Sequence, residues 1–112
     1  MKTITLTASL ASLLLLGSVA ARAADAADNW TKNCAACHGS DGTGHTKAGR
    51  MARVKNMTDP AYQKTFTDDQ AAKQIKMGLT DRSGKERMKA FGDKFSDAEV
   101  NDLVRYVRSF QK

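Results

Sequence analysis

The sequence predicts an all-α fold of short helices joined by long loops, and three observations carry that prediction. Two segments, 67–77 and 96–110, place apolar residues at helical spacing behind capping boxes. No segment alternates with a strand period, and no hairpin dipeptide or internal repeat occurs. A glycine-rich stretch, 38–56, has neither period, and a loop of that length is unusual unless it wraps something.

The elements follow in chain order. Lys2, an apolar run centred on Leu10–Leu16 and the small residues ending in Ala21-Arg22-Ala23 predict an export signal over 1–23, cleaved after Ala23, with one domain over 24–112. An uncleaved anchor is the competing reading of the 19 uncharged residues 3–21, but their Thr and Ser content makes a poor spanning helix. The expected location is periplasmic, with no membrane insertion after cleavage. Ala26, Ala27 and Trp30 predict a short helix over 25–33. Asp59-Pro60 opens another, with proline at the first helical position. In 67–77, Thr67 caps, Gln70 completes the box, Phe66 staples to Ala71 and Gly78 terminates; the apolar face is Ala71, Ala72, Ile75 and Leu79. In the last helix Ser96 and Glu99 form the box and Phe95 staples to Val100. Leu103, Val104, Val107 and Phe110 continue the stripe.

Composition sets a further requirement. Of the 112 residues 41% are hydrophobic, but 14 of those lie in 1–23, and the remaining 89 positions hold only 18 apolar side chains other than Ala and Cys. So small a core is marginal without a disulfide, a metal, a cofactor or a partner. The formal charge of +6 falls to +4 without residues 1–23. Acids and bases are interspersed and no Lys/Arg block occurs, which argues against nucleic acid as a partner.

Cys34-Ala35-Ala36-Cys37-His38 supplies the missing mass. The C-x-x-C-H string is the haem c attachment signature: two thiols on one helical turn reach two vinyl groups of a porphyrin, and the adjacent His38 addresses the iron. A thioredoxin-type motif would need a βαβ context, and a Cys34–Cys37 disulfide would close almost no loop. Zinc held by Cys34, Cys37 and His38 or His45 is the main competitor, in which case the chain would be a zinc-binding interaction module; adjacent Cys37 and His38 make poor joint ligands of one tetrahedral site.

With these residues in view the sequence resembles the small class I monohaem c-type cytochromes over nearly all of 24–112. Trp30 stands four residues before Cys34, where the family has an aromatic, and Ala26 where it often has Gly. Leu103 and Tyr106 occupy the places of the residues that cross that pair. The resemblance implies a cytochrome c-like fold with crossing N- and C-terminal helices around one covalent haem. It also implies an electron carrier rather than an enzyme, and a methionine as sixth iron ligand. Met88 has the family's M-x-A-F context before the final helix; Met51 and Met57 lack it, and Met77 sits in a helical pattern beside Ile75 and reads as packing. The competing reading of Met88 is a gap-filling core methionine.

The chain departs from the family twice. Lys89 follows Met88 where Pro is common, so a less stiff loop and weaker ligation are expected. The loop after the haem motif has no Pro, so another carbonyl, expected near Ala48–Arg50, must accept the His38 ring N–H; His45 reads as a loop residue. With His38 and Met88 bound, the iron has no open position and one-electron transfer between redox partner proteins is the natural function of an expected monomer. Lys85, Arg87 and Lys89, with Lys47, Arg50 and Arg53, are candidates for docking acidic partners. The alternative is a haem enzyme or a gas- or peroxide-binding protein with an open or labile sixth position.

Overall fold

The computed structural model describes residues 11–112, with side chains from residue 20 onward, so much of the predicted export signal lies outside the described residues. The elements are α1 (Ala11–Asn33), α2 (Ala35–His38), α3 (Lys47–Ala52), α4 (Pro60–Gln63), α5 (Asp68–Met77), β1 (Leu79–Thr80), β2 (Glu86–Met88) and α6 (Asp97–Ser109). The all-α expectation holds. Among the described residues no helix is long and apolar enough to cross a membrane.

The caps behave as the sequence indicates. The Thr67 hydroxyl accepts from the Gln70 amide at 3.1 Å while the Gln70 side chain accepts from the Thr67 amide at 2.8 Å. Ser96 and Glu99 make the same reciprocal pair, each bond 3.2 Å. Asp59 caps α4 by accepting from the Ala61 amide at 2.8 Å, ahead of Pro60 at the first helical position. These bonds occupy amides that a helix start would otherwise leave unpaired.

Three elements differ from expectation. The helix expected over 25–33 continues back to Ala11, because the Ala- and Leu-rich stretch before it has high helix propensity. Within the loop predicted over 38–56, a six-residue helix forms: the Thr46 hydroxyl accepts from the Gly49 amide at 2.8 Å and Arg53, in the left-handed region at φ 59°, ends it. Gly49 stands where a capping box would have Glu or Gln, and that concealed the start. Two short strands also pair antiparallel, Leu79 opposite Met88 and Thr80 opposite Glu86. They are too short to show a period and are made by the turn between them.

That turn is organised by Asp81. One carboxylate oxygen accepts from the Ser83 hydroxyl at 2.6 Å and from the Ser83 and Lys85 amides at 2.9 and 3.1 Å; the other accepts from Arg87 Nε at 2.7 Å. The Ser83 hydroxyl first, then Arg87 and the Lys85 amide, hold the Asp81 carboxyl well below the usual carboxylate range. A depressed carboxylate contributes stability that is complete above its unfolded value, about pH 4, and is lost as pH falls through its folded value. We therefore expect amide exchange at Lys85, corrected for its intrinsic rate, to be protected from pH 7 down to about 4 and to lose protection below that. Asp81→Asn should abolish this pH dependence.

Helix α1 crosses α6, and that crossing is the core. Trp30 is 3% exposed, Leu103 1% and Val100 0%, with Ala26, Phe95, Val104 and Val107 also buried. The Trp30 ring lies 5.6 Å from Tyr106 and 4.9 Å from Phe110, centroid to centroid, and its Nε1 donates to the Gly39 carbonyl at 3.0 Å. A buried indole needs such an acceptor. Here the acceptor belongs to the turn directly after His38, so the helix crossing and the C-x-x-C-H turn are fixed together.

Candidate haem site

Cys34, Cys37 and His38 share one turn because α2 continues from α1: the Cys34 amide donates to Trp30 O at 2.8 Å and the His38 amide to Cys34 O at 2.9 Å. Both cysteines are free thiols and half-buried. Burial, with a smaller contribution from Cys37, pushes the Cys34 thiol up to about 11. Burial also lowers the His38 imidazole below its ordinary value, so the ring is held neutral, the form in which it ligates a metal.

This turn is locked from the loop side. The Thr46 hydroxyl that caps α3 also donates to the Cys37 carbonyl at 2.8 Å. Gly49 sits so close that a Cβ there would lie 2.3 Å from the Cys37 carbonyl oxygen and 2.5 Å from that of Gly44. Only glycine allows α3 to press against the motif.

Cys34 and His38 open onto a cavity of about 340 Å³. Phe91, Phe95, Leu103 and Val107 form its floor, Tyr62, Thr65 and Phe66 one wall, and Gln70, Ala71, Gln74 and Ile75 of α5 another. Met57 and Met88 also line it. Met51 and Met77 do not; they are 67% and 68% exposed. Met77 therefore does not pack as its helical pattern suggested, and Leu79, expected on the apolar face, is 46% exposed because the chain turns away at Gly78. Gly78 ends α5 at φ 71° and ψ −167°, a region essentially reserved for glycine. A Cβ there would lie 2.5 Å from the Met88 carbonyl oxygen, so this glycine also lets β2 approach.

Met88 is held from several sides. Gln74 Nε2 donates to its sulfur at 3.7 Å, and the following segment is tied to the end of α5 by bonds from the Phe91 and Gly92 amides to Ile75 O and Lys76 O, 2.9 and 3.0 Å. Arg87, one of the candidate docking cations, is half-buried and already paired: its Nε pairs with Asp81 at 2.7 Å and Nη1 donates to Met51 O at 3.2 Å. Lys85 and Lys89 are exposed on either side of it.

Sequence reasoning missed a second network, which backs the Phe66 part of the lining. Gln63, 2% exposed, donates to the carbonyls of Met57 and Val107 at 2.7 and 2.9 Å and accepts from Arg108 Nη1 at 2.9 Å. Arg108 also donates to Phe66 O at 2.8 Å, pairs with Asp68 at 2.8 Å and lies 4.4 Å over the Phe66 ring. A polar residue in a four-residue helix carries no periodic signal, and only the fold brings Gln63 against α6.

Among the described residues no three His, Cys, Asp or Glu side chains converge as a metal site, so zinc has no ligand set there. A family model described as cytochrome c oxidase, cbb3-type, subunit III matches residues 21–107. The chain belongs to this family of c-type cytochromes. Among solved structures, the cytochrome is similar to the KustC0563 c-type cytochrome at 30% identity and TM-score 0.70, covering 78% of this chain and 98% of the other. A single-residue mutant of Kustc0563 gives 30% identity and TM-score 0.68, with 78% and 99% covered. No curated protein matches. The cofactor is one covalently bound haem c with its iron, and the cytochrome is a haem-based electron carrier.

The residues present fit that group. Two free thiols stand on one turn, and that turn brings Cys34 and the His38 imidazole to the lining of an apolar cavity large enough to be a cofactor site, with Cys37 beside them outside the lining. The His38 Nδ1 is buried without a hydrogen-bond partner, so the carbonyl expected near Ala48–Arg50 is not seated on it. The Trp30 ring, 5.5 Å from His38, orients the imidazole by contact instead.

Proposed function

We propose that this cytochrome is an exported, periplasmic one-electron carrier in which Cys34 and Cys37 bind haem c through thioethers and His38 and Met88 ligate its iron. The observation that carries the reading is the single cavity shared by Cys34, His38 and Met88. Bound haem supplies a one-electron iron couple, and a thioether ligand in an apolar pocket favours its reduced form. His38 is neutral and preset on a rigid turn, and Met88 is preset on a strand pinned by Gly78 and Gln74. With both ligands held in place, reduction asks little rearrangement of the protein. The apolar floor of Phe91, Phe95, Leu103 and Val107 excludes water from the iron's surroundings.

Met88 is favoured over Met57 by its place. It is carried on a hairpin held to α5 through Gln74, fifty residues along the chain from His38, whereas the Met57 amide donates to Gly42 O at 2.8 Å, within the loop that leaves His38. Exposed Lys85 and Lys89, with exposed Lys47, Arg50 and Arg53 of the loop after the haem motif, present positive charge to an acidic redox partner protein.

The test is an oxidised and a reduced absorption spectrum of protein matured with haem in the periplasm of a bacterial host. A c-type reduced spectrum with the weak far-red methionine-to-ferric-iron band is expected. Covalent haem without that band would overturn Met88 as ligand and return the open-site reading.

A further inference from the structure

We propose that Arg87 is a positioning residue that clamps Met88 over the cavity, in a chain that has Lys89 rather than a stiffening proline after it. The proposal rests on Met88 being the iron ligand. Arg87 is adjacent to Met88 on β2, so its side chain leaves the opposite face of the strand. On that face its guanidinium joins two separate pieces of the fold. Nε pairs at 2.7 Å with Asp81, which organises the hairpin turn, and Nη1 donates at 3.2 Å to the carbonyl of Met51 near the end of α3. Helix α3 is in turn pressed on the haem-motif turn through Gly49 and Thr46. A continuous chain of contacts thus runs from the Cys37 carbonyl through α3 and Arg87 to the strand that carries Met88.

The clamp has the physical properties of a real constraint. The side chains of Arg87 and Asp81 are 16% and 28% exposed, so the pair is partly shielded from water, unlike the exposed pair Lys32–Asp28 at 67% and 59%. Asp81 is itself fixed by Ser83 and Lys85, so little side-chain freedom remains to be lost. Arginine's planar fork serves two acceptors at once, which a lysine ammonium on a flexible stem does poorly. Gln74 and Gly78 hold Met88 against α5. Arg87 alone among these contacts ties its strand to the haem-motif side.

The consequence is kinetic. A methionine on a clamped strand leaves the iron rarely, and an exogenous ligand that must wait for it binds slowly. The experiment compares the ferric holoprotein with its Arg87→Gln, Asp81→Asn and Arg87→Lys variants, following cyanide binding by stopped flow and hydrogen exchange over residues 79–88 in the ferrous form. Loss of one charge-assisted hydrogen-bond set should speed cyanide binding about tenfold in Arg87→Gln and Asp81→Asn, less in Arg87→Lys, with the far-red band retained. Exchange in the hairpin should rise in parallel. Arg82→Gln, which removes a turn cation outside the clamp, should change neither. Cyanide rates within twofold of the parent in both Arg87→Gln and Asp81→Asn would overturn the proposal while leaving the ligand assignment intact. A Met88→Ala protein that keeps the far-red band would overturn the ligand assignment and the clamp with it. If Arg87→Gln fails to mature, Asp81→Asn decides alone.

Discussion

Replacing Met88 by alanine should convert the cytochrome from a closed electron carrier into a ligand-binding haem protein. The far-red ferric band should vanish, the ferric iron should become high-spin, and cyanide and carbon monoxide should bind at least about 100-fold more tightly, the equivalent of about 3 kcal/mol of thioether no longer displaced. The reduction potential should fall, because the soft sulfur that favours ferrous iron is gone. Met57→Ala is the matched control. Met57 lines the same cavity, so its loss removes comparable apolar surface, yet the far-red band and the slow cyanide binding should persist. A parent-like spectrum in Met88→Ala, or loss of the band in Met57→Ala, would reassign the sixth ligand.

Removing both thiols should have the larger effect on folding. In a Cys34→Ser/Cys37→Ser protein nothing covalent retains haem, and the cavity of about 340 Å³ must stay filled by other means or collapse. At about 24 cal/mol per Å³ an unfilled cavity of that size corresponds to about 8 kcal/mol, an upper value for a cleft partly open to water. Small domains have a total stability of about 5–15 kcal/mol, so the haem-free chain should have little native structure left. We expect retained helical ellipticity but weak near-ultraviolet ellipticity, dye-accessible apolar surface and no cooperative melting transition. A sharp two-state transition in the haem-free variant would show that the α1–α6 crossing folds without its cofactor.

The site was legible in unequal parts, for reasons visible residue by residue. Cys34, Cys37 and His38 lie within five consecutive positions, so a single helical turn brings them together whatever the rest of the fold does. Met88 is fifty residues away. Its sequence context singled it out by resemblance, but four methionines remained in play, and it is exposure that sets Met51 and Met77 aside. The capping boxes at Thr67 and Ser96 were readable because both partners sit within four residues. The start of α3 was not, because Gly49 is there to let the Cys37 carbonyl approach and so spoils the local signal.

Local sequence by itself determined the all-helical class, the caps of α5 and α6, the apolar stripe of the last helix and the covalent haem motif, since each depends on residues within a turn or two of one another. The tertiary structure alone decided which methionines face the cavity, that Gln63 and Arg108 brace its wall, and that Arg87 is a half-buried tie between two parts of the fold. Those facts rest on pairs separated by 36 residues, as in Arg87 with Met51, or by 45, as in Arg108 with Gln63. Over such distances charge and hydropathy patterns carry no phase, and only the packing of α1 on α6 and the approach of β2 allowed by Gly78 settle which groups meet.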